Sequence, residues 1–150
     1  MKLEALTRPI EPQEIEWKIQ SYTKDKSKTI IVPYVTARCV MDRLDEAFGV
    51  LNWSTKFEET KSGMLCTITA EGVSKQDGAS LTTIEPIKGG ISDSLKRAAH
   101  QFGIGRGLYD YPRVMLKGEI KYIPEETLTR LHKMTEVINQ GKFTQNLVII

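Results

Sequence analysis

A chain of 150 residues with 40% hydrophobic residues has the apolar content for one real core at the size of a single domain. Charged residues make up 27% in mixed signs, which argues against a disordered chain. The formal net charge of +2 is too small for bulk charge to hold a polyanion, so such a partner would need basic residues gathered locally.

Residues 1–9 lack the apolar run of a secretory leader, and no stretch approaches the ~20 apolar residues of a membrane span. An intracellular protein without membrane contact is expected. Cys39 and Cys66 lie in apolar-periodic contexts without CxxC spacing, which reads as reduced, buried thiols.

The first dozen residues predict a short amphipathic turn before Pro9 and Pro12. Trp17 to Tyr22 and Thr29 to Val35 read as two strands joined by the polar hairpin loop 23–28. The lysines of that loop suit a phosphate backbone, but a charged loop is more often simply solvated. Residues 36 to 48 read as a helix with Val40, Leu44, Ala47 and Phe48 on one buried stripe. Arg38, Asp42, Arg43, Asp45 and Glu46 take the remaining surface, and Gly49 is a C-terminal stop.

An antiparallel meander follows. Trp53, Thr55 and Phe57 alternate with polar neighbours, and Met64, Cys66, Ile68 and Ala70 do the same. Asp77-Gly78 reads as a hairpin turn, with Ser80 to Glu85 returning as a third strand. A second main helix is expected from about Ile91 to Phe102, capped by Ser92 or Ser94, with Gly103, Gly105 and Gly107 ending it. Leu108 to Tyr111 reads as a short strand interrupted by Pro112. The last helix spans about Pro124 to Asn139, its inner face lined by Leu128, Leu131, Thr135 and Ile138. The tail 143–150 is either a last strand or a surface for another subunit.

The fold class is therefore α+β, an antiparallel meander packed on helices. One domain over 1–150 is expected, with a core at 15–112 and a C-terminal helix and tail at 113–150.

The helix near residue 92 carries the chemistry. At about 100° per residue, Ile91, Leu95, Ala98, Ala99 and Phe102 cluster on one side. Asp93, Lys96, Arg97, His100 and Gln101 point the other way, so two cations and a histidine share one ridge with one acid. Arg106 follows in a glycine-rich turn where the backbone can approach a ligand closely. Cations on a packed helix are charged, exposed and rigidly held, which phosphate binding requires. An ordinary solvated helix face has the same pattern. The Gly103-x-Gly105-x-Gly107 run follows a helix instead of opening one, which excludes a dinucleotide fingerprint.

The run Ser92-Asp93-Ser94-Leu95-Lys96-Arg97-Ala98-Ala99-His100-Gln101-Phe102-Gly103-Ile104-Gly105-Arg106-Gly107-Leu108-Tyr109-Asp110 resembles the signature of the Rad fifty-two superfamily of recombination mediators, in its DdrA-like bacterial and phage branch. Residues 37–45, 49–53 and 65–73 resemble further blocks of that family in the same order. The resemblance implies a β-β-β-α core assembling side by side into a homo-oligomeric ring or filament. It also implies single-stranded DNA in a basic groove, and annealing of complementary strands in recombination and repair. By matching positions it implies that Lys96 and Arg97 bind the DNA backbone. His100 stands where the family carries a basic residue, Arg38 is the nearest match to a DNA-contacting arginine, and Val50 replaces an aromatic residue.

Annealing of this kind uses no nucleotide, cofactor or metal, and the sequence carries no GxxxxGK[ST] phosphate loop. The partners implied are single-stranded DNA, further copies of the chain, and a single-strand-binding protein, exonuclease or recombinase. The expected setting is the cytoplasm of a bacterium or phage-infected host. Two other readings compete: an RNA- or general phosphate-binding adaptor using the same ridge, and a small enzyme built on His100, His132, Cys39 or Cys66. No acidic cluster or His-x-Glu spacing supports the enzyme, so none is expected.

Overall fold

Strand alternation and turn chemistry resolve into two separate sheets in the structure, a computed structural model that describes residues 2–150. In chain order the elements are α1 (Glu4–Thr7), β1 (Ile15–Tyr22), β2 (Lys28–Val35), α2 (Ala37–Phe48), β3 (Trp53–Glu59), β4 (Gly63–Ala70) and β5 (Val73–Ser80). There follow α3 (Pro86–Gln101), β6 (Arg113–Lys117), α4 (Glu125–Asn139) and β7 (Leu147–Ile149), with 3-10 turns at Pro12–Glu14 and Arg106–Asp110. The class is α+β, as expected. The elements gather into two compact units, one from Met1–Arg8 and Thr36–Arg106, the other from Pro9–Val35 and Gly107–Ile150.

In the first unit, Thr36 caps α2 by accepting the Cys39 N–H at 3.0 Å, and Gly49 ends the helix at a φ of 97°. Val40, Leu44, Ala47 and Phe48 form the buried stripe that the spacing predicts. Arg43 does not take the surface place expected of it. It is 1% exposed, and its Nη1 donates to the carbonyls of Ala5 at 3.1 Å and Arg8 at 2.8 Å. The guanidinium thereby satisfies carbonyls at the end of α1, which is why a charged side chain is held inside.

Strands β3, β4 and β5 form an antiparallel meander in that order. The hairpin expected at Asp77-Gly78 lies elsewhere. The turn is Glu71-Gly72, with φ of 52° and 76°, the positive pair that a two-residue hairpin loop demands. Asp77 and Gly78 sit inside β5 opposite Cys66 and Leu65, so the third strand runs seven residues earlier than the dipeptide suggested. The β4 ladder decides this, because β5 pairs along its whole length.

Met64, Cys66, Ile68 and Ala70 turn the buried face of β4 towards α3, which packs on both β4 and β5. Helix α3 begins at Pro86, five residues before the expected start, with Glu85 at a φ of 48° as its cap. Gly90 lets the helix lie close to its neighbours: a Cβ there would lie 3.0 Å from Leu81 Cδ2 and 3.2 Å from Met64 Cβ. Burial pushes the Cys66 thiol up to about 11, and Cys39 is likewise buried, both standing outside any disulfide.

The second unit is a four-stranded sheet in the order β1-β2-β6-β7, antiparallel except for the parallel β6–β7 pair. Ile15, Trp17, Ile31, Val35, Val114 and Leu116 are its buried hydrophobic residues, and Thr29 is buried among them. Helix α4 buries Thr127, Leu131, Met134 and Thr135, so Leu128 and Ile138 of the expected face are only half-buried. Residues 108–111, read as a strand, belong instead to the 3-10 turn and its exit, and the strand starts after Pro112. The tail supplies β7, as one of its two readings had it.

Arg43→Ala would leave the Ala5 and Arg8 carbonyls without their donor. We expect a loss of about 2–4 kcal/mol in urea unfolding, well beyond the roughly 0.5 kcal/mol of a surface substitution.

Candidate nucleic-acid interface

All five basic positions singled out by the sequence fall in the first unit: Arg38 on α2, Lys96, Arg97 and His100 on α3, and Arg106 just beyond. The helix is held rigidly. Ala98 and Ala99 are fully buried, and Phe102 meets Phe48 edge to face at 6.2 Å.

Lys96 and Arg97 do not form a pair on the surface. Arg97 is exposed, but Lys96 is 8% exposed and lies within the packed part of the helix. The expected ridge of two adjacent full charges is therefore corrected to one exposed cation. Adjacent helical residues differ by about 100°, so only one of the two can point straight outward once Ala98 and Ala99 fix the inner face.

Arg97 Nε lies 3.4 Å from Asp77 Oδ1 on β5, with just over half of the arginine side chain exposed. Asp77 Oδ1 also accepts the Gly78 N–H at 2.7 Å. An exposed pair of this kind contributes about 0–1 kcal/mol. A phosphate can displace the carboxylate at small cost, and Asp77 meanwhile holds the guanidinium extended. The terminal amino groups of Arg97 make no hydrogen bond among the described residues, leaving the bidentate fork open.

His100 is half-buried, its Nδ1 2.7 Å from the Ile104 carbonyl. A carbonyl only accepts, so Nδ1 carries the proton of the neutral ring and Nε2 does not. Burial is the main reason that its pKa lies below the ordinary 6.5, with the Arg97 and Arg106 charges acting in the same direction and the Ile104 bond and Asp77 opposing. At neutral pH it adds no positive charge to the site.

Arg106 is exposed, yet it turns back on the helix. Its Nε donates to the His100 carbonyl at 2.8 Å and Nη2 to the Gln101 carbonyl at 2.9 Å. It therefore caps the negative end of α3. Gly103, at a φ of 105°, makes the reversal, and a Cβ there would lie 3.1 Å from the Leu6 carbonyl. Arg38 lies in the first turn of α2, with no hydrogen bond or ion pair to the α3 residues among those described. Val50 is 68% exposed in the α2–β3 link.

Lys75 escaped the sequence reading. Its Nζ donates to the Gln101 carbonyl at 3.0 Å and lies 5.5 Å from the centre of the Phe102 ring, while Gln101 donates to the Gln76 carbonyl. The Glu71-Gly72 turn was the signal that placed it, because with that turn Lys75 and Asp77 run alongside α3. Among the described residues no group of three or more His, Cys, Asp or Glu is placed to hold a metal ion, and no helix is long and apolar enough to cross a membrane.

The profile of the Rad52/22 family double-strand break repair proteins matches residues 2–72 and 61–127, taking in α2, the three-stranded sheet, α3 and Arg106. The chain belongs to the Rad52/22 family. It is 39% identical over 114 residues to the single-stranded DNA-binding protein DdrA of Deinococcus deserti, covering 72% of this chain and 56% of that protein. The protein of the same name from Deinococcus radiodurans is 33% identical over 114 residues, covering 72% and 54%. The chain thus spans about half the length of the curated relatives it matches.

The pH dependence of stability follows from His100. Its folded pKa is depressed, so the unfolded chain takes up the proton first as the solution is acidified. The contribution is complete above 6.5 and is lost as pH falls through the lower folded value. Urea midpoints measured from pH 7.5 to pH 5 should fall more steeply for the wild type than for His100→Gln.

Proposed function

We propose that this member of the Rad52/22 family binds single-stranded DNA and anneals complementary strands without nucleotide hydrolysis, in recombination and DNA repair. The observation that carries the reading is Arg97, an exposed guanidinium on a helix whose inner face is fully packed, within the segment matched by the family profile. The name of the two DdrA relatives supports the choice of single-stranded DNA.

In this reading Arg97 exchanges Asp77 for a phosphate. Arg38 and Arg106 add charge on the same unit, and Lys96 contributes its field from within the helix packing. His100 takes part only when acid protonates it. Binding by phosphates leaves base edges open, so a second strand tests pairing against the presented bases and duplex formation supplies the free energy. One protomer offers few charges, so useful affinity comes from several copies along one strand, assembled as a ring or filament. No chemical step is needed. A single-strand-binding protein, exonuclease or recombinase is the class of protein partner, and the cytoplasm is the setting.

Arg97→Ala should reduce the affinity for an oligo-dT strand about ten-fold at low salt. The salt dependence should become shallower by roughly 0.7 in log–log slope for each phosphate that is no longer neutralised. Its melting temperature should stay unchanged, since only a surface ion pair is removed. Lys96→Ala is the wrong first test, because an unfolded variant would mimic one that has merely lost its grip on DNA. Unaltered affinity of folded Arg97→Ala would overturn the site.

Assembly is checked by light scattering. The mass should be many times 17.0 kDa, and a monomer at micromolar concentration would overturn the assembly.

A further inference from the structure

The β1–β2 hairpin of the second unit does not stand alone in solvent. The Gly118 N–H donates to the Ser27 carbonyl at 2.6 Å, and Thr29 Oγ1 donates to the Gly118 carbonyl at 2.8 Å. The Ile120 N–H donates to Thr29 Oγ1 at 3.0 Å, and Tyr22 Oη donates to the Ile120 carbonyl at 2.9 Å. These bonds fasten the segment after β6 to the hairpin, although 89 to 98 residues of chain separate the side-chain-bonded partners.

The consequence is a gathering of like charge. Lys28 and Lys117 stand directly opposite each other across β2 and β6. Lys24 and Lys26 lie on the hairpin loop, and Lys121 follows the fastened segment. All but the half-buried Lys28 are exposed. None of the five makes an ion pair among the described residues.

Asp25, Glu119, Glu125 and Glu126 stand nearby in sequence, and Asp25 is occupied by the turn. Its Oδ1 accepts from the Thr23 hydroxyl at 2.8 Å, the Ser27 N–H at 3.0 Å and the Ser27 hydroxyl at 2.8 Å. Glu119 is exposed. Lysines opposed across a ladder repel; among the described residues no ion pair within 4.0 Å relieves them, and Asp25 acts on Lys28 only through its charge at longer range. Close by in the chain, Tyr122 is 76% exposed, an aromatic face without a core to fill.

Lysines on a fastened backbone together with an exposed ring supply the two components of sequence-independent single-strand binding: charges for the phosphates and a face on which a base stacks. We propose that Lys24, Lys26, Lys28, Lys117, Lys121 and Tyr122 form a second single-stranded DNA contact, on the second unit and separate from α3. It rests on the reading that the chain binds single-stranded DNA. The ligand class is a strand with an unpaired base. A smooth anionic surface such as a lipid bilayer would use the lysines but not the stacked ring.

The test is Lys24→Gln with Lys121→Gln, two exposed side chains at ordinary backbone angles, compared with wild type and Arg97→Ala by fluorescence anisotropy on oligo-dT. With two phosphates no longer neutralised, affinity at 50 mM salt should fall by roughly one to two decades and the log–log salt slope should become shallower by about 1.4. Tyr122→Ala should weaken binding to oligo-dT while leaving binding to an abasic strand of the same length unchanged. An unchanged slope in the double variant, while Arg97→Ala loses affinity, would overturn this contact and leave the α3 site standing. No binding by the wild type would overturn both. Anionic vesicles released by the double variant while oligo-dT stays bound would assign the lysines to a membrane surface and also overturn the proposal.

Discussion

The close seating of α3 on β4 and β5 is the constraint on which the first unit depends. Gly90, Ala98 and Ala99 strip the inner face of bulk, and Met64, Cys66 and Ile68 fill the other side. Once those small residues are buried, the rotation of the helix is settled, and with it the fate of every charged residue along the segment. Arg97 emerges and Lys96 does not. The C-terminal end is then fastened from outside by Lys75, Arg106 and the Gln101–Gln76 bond, so the helix cannot turn to exchange the two cations.

That fastening gives several charges a structural duty. Arg106 and Lys75 both bond the last carbonyls of α3, where the helix dipole favours a cation. Arg43 does the corresponding work at the end of α1. Arg97 differs because its partner is a half-exposed carboxylate, which is easily replaced. The chain therefore commits Arg43, Lys75 and Arg106 to holding its own backbone, and a net charge of +2 hides where other exposed cations lie. Arg97 and Arg38 are among them in one unit, and the lysine cluster in the other.

Much of the fold was legible. The α2 stripe, the β1–β2 hairpin, the alternating β4 and the last helix all follow from periodicity that burial enforces. The failures were of two kinds. Asp77-Gly78 is a good turn dipeptide, but Glu71-Gly72 has the register that lets β5 pair fully with β4, and long-range pairing outweighs local preference. In the other kind, a short apolar run was read as a strand where the chain was already turning. The 3-10 turn at Arg106–Asp110 stands there because Gly103 and Gly105 reverse the chain with positive φ.

By itself the sequence determined the α+β class, the buried stripes, the placing of Lys96, Arg97 and His100 on a helix, and membership of a family whose signature survives in residues 92–110. Those are properties of periodicity and residue type, which local chain geometry transmits directly. The tertiary structure alone decided which of Lys96 and Arg97 faces solvent and that His100 is held neutral by burial. It also decided that Arg43 is interior, and that the segment carrying Lys121 is fastened to the hairpin carrying Lys24. Each of these depends on what packs against a side chain or which distant strand pairs with it, and no window of sequence contains that partner.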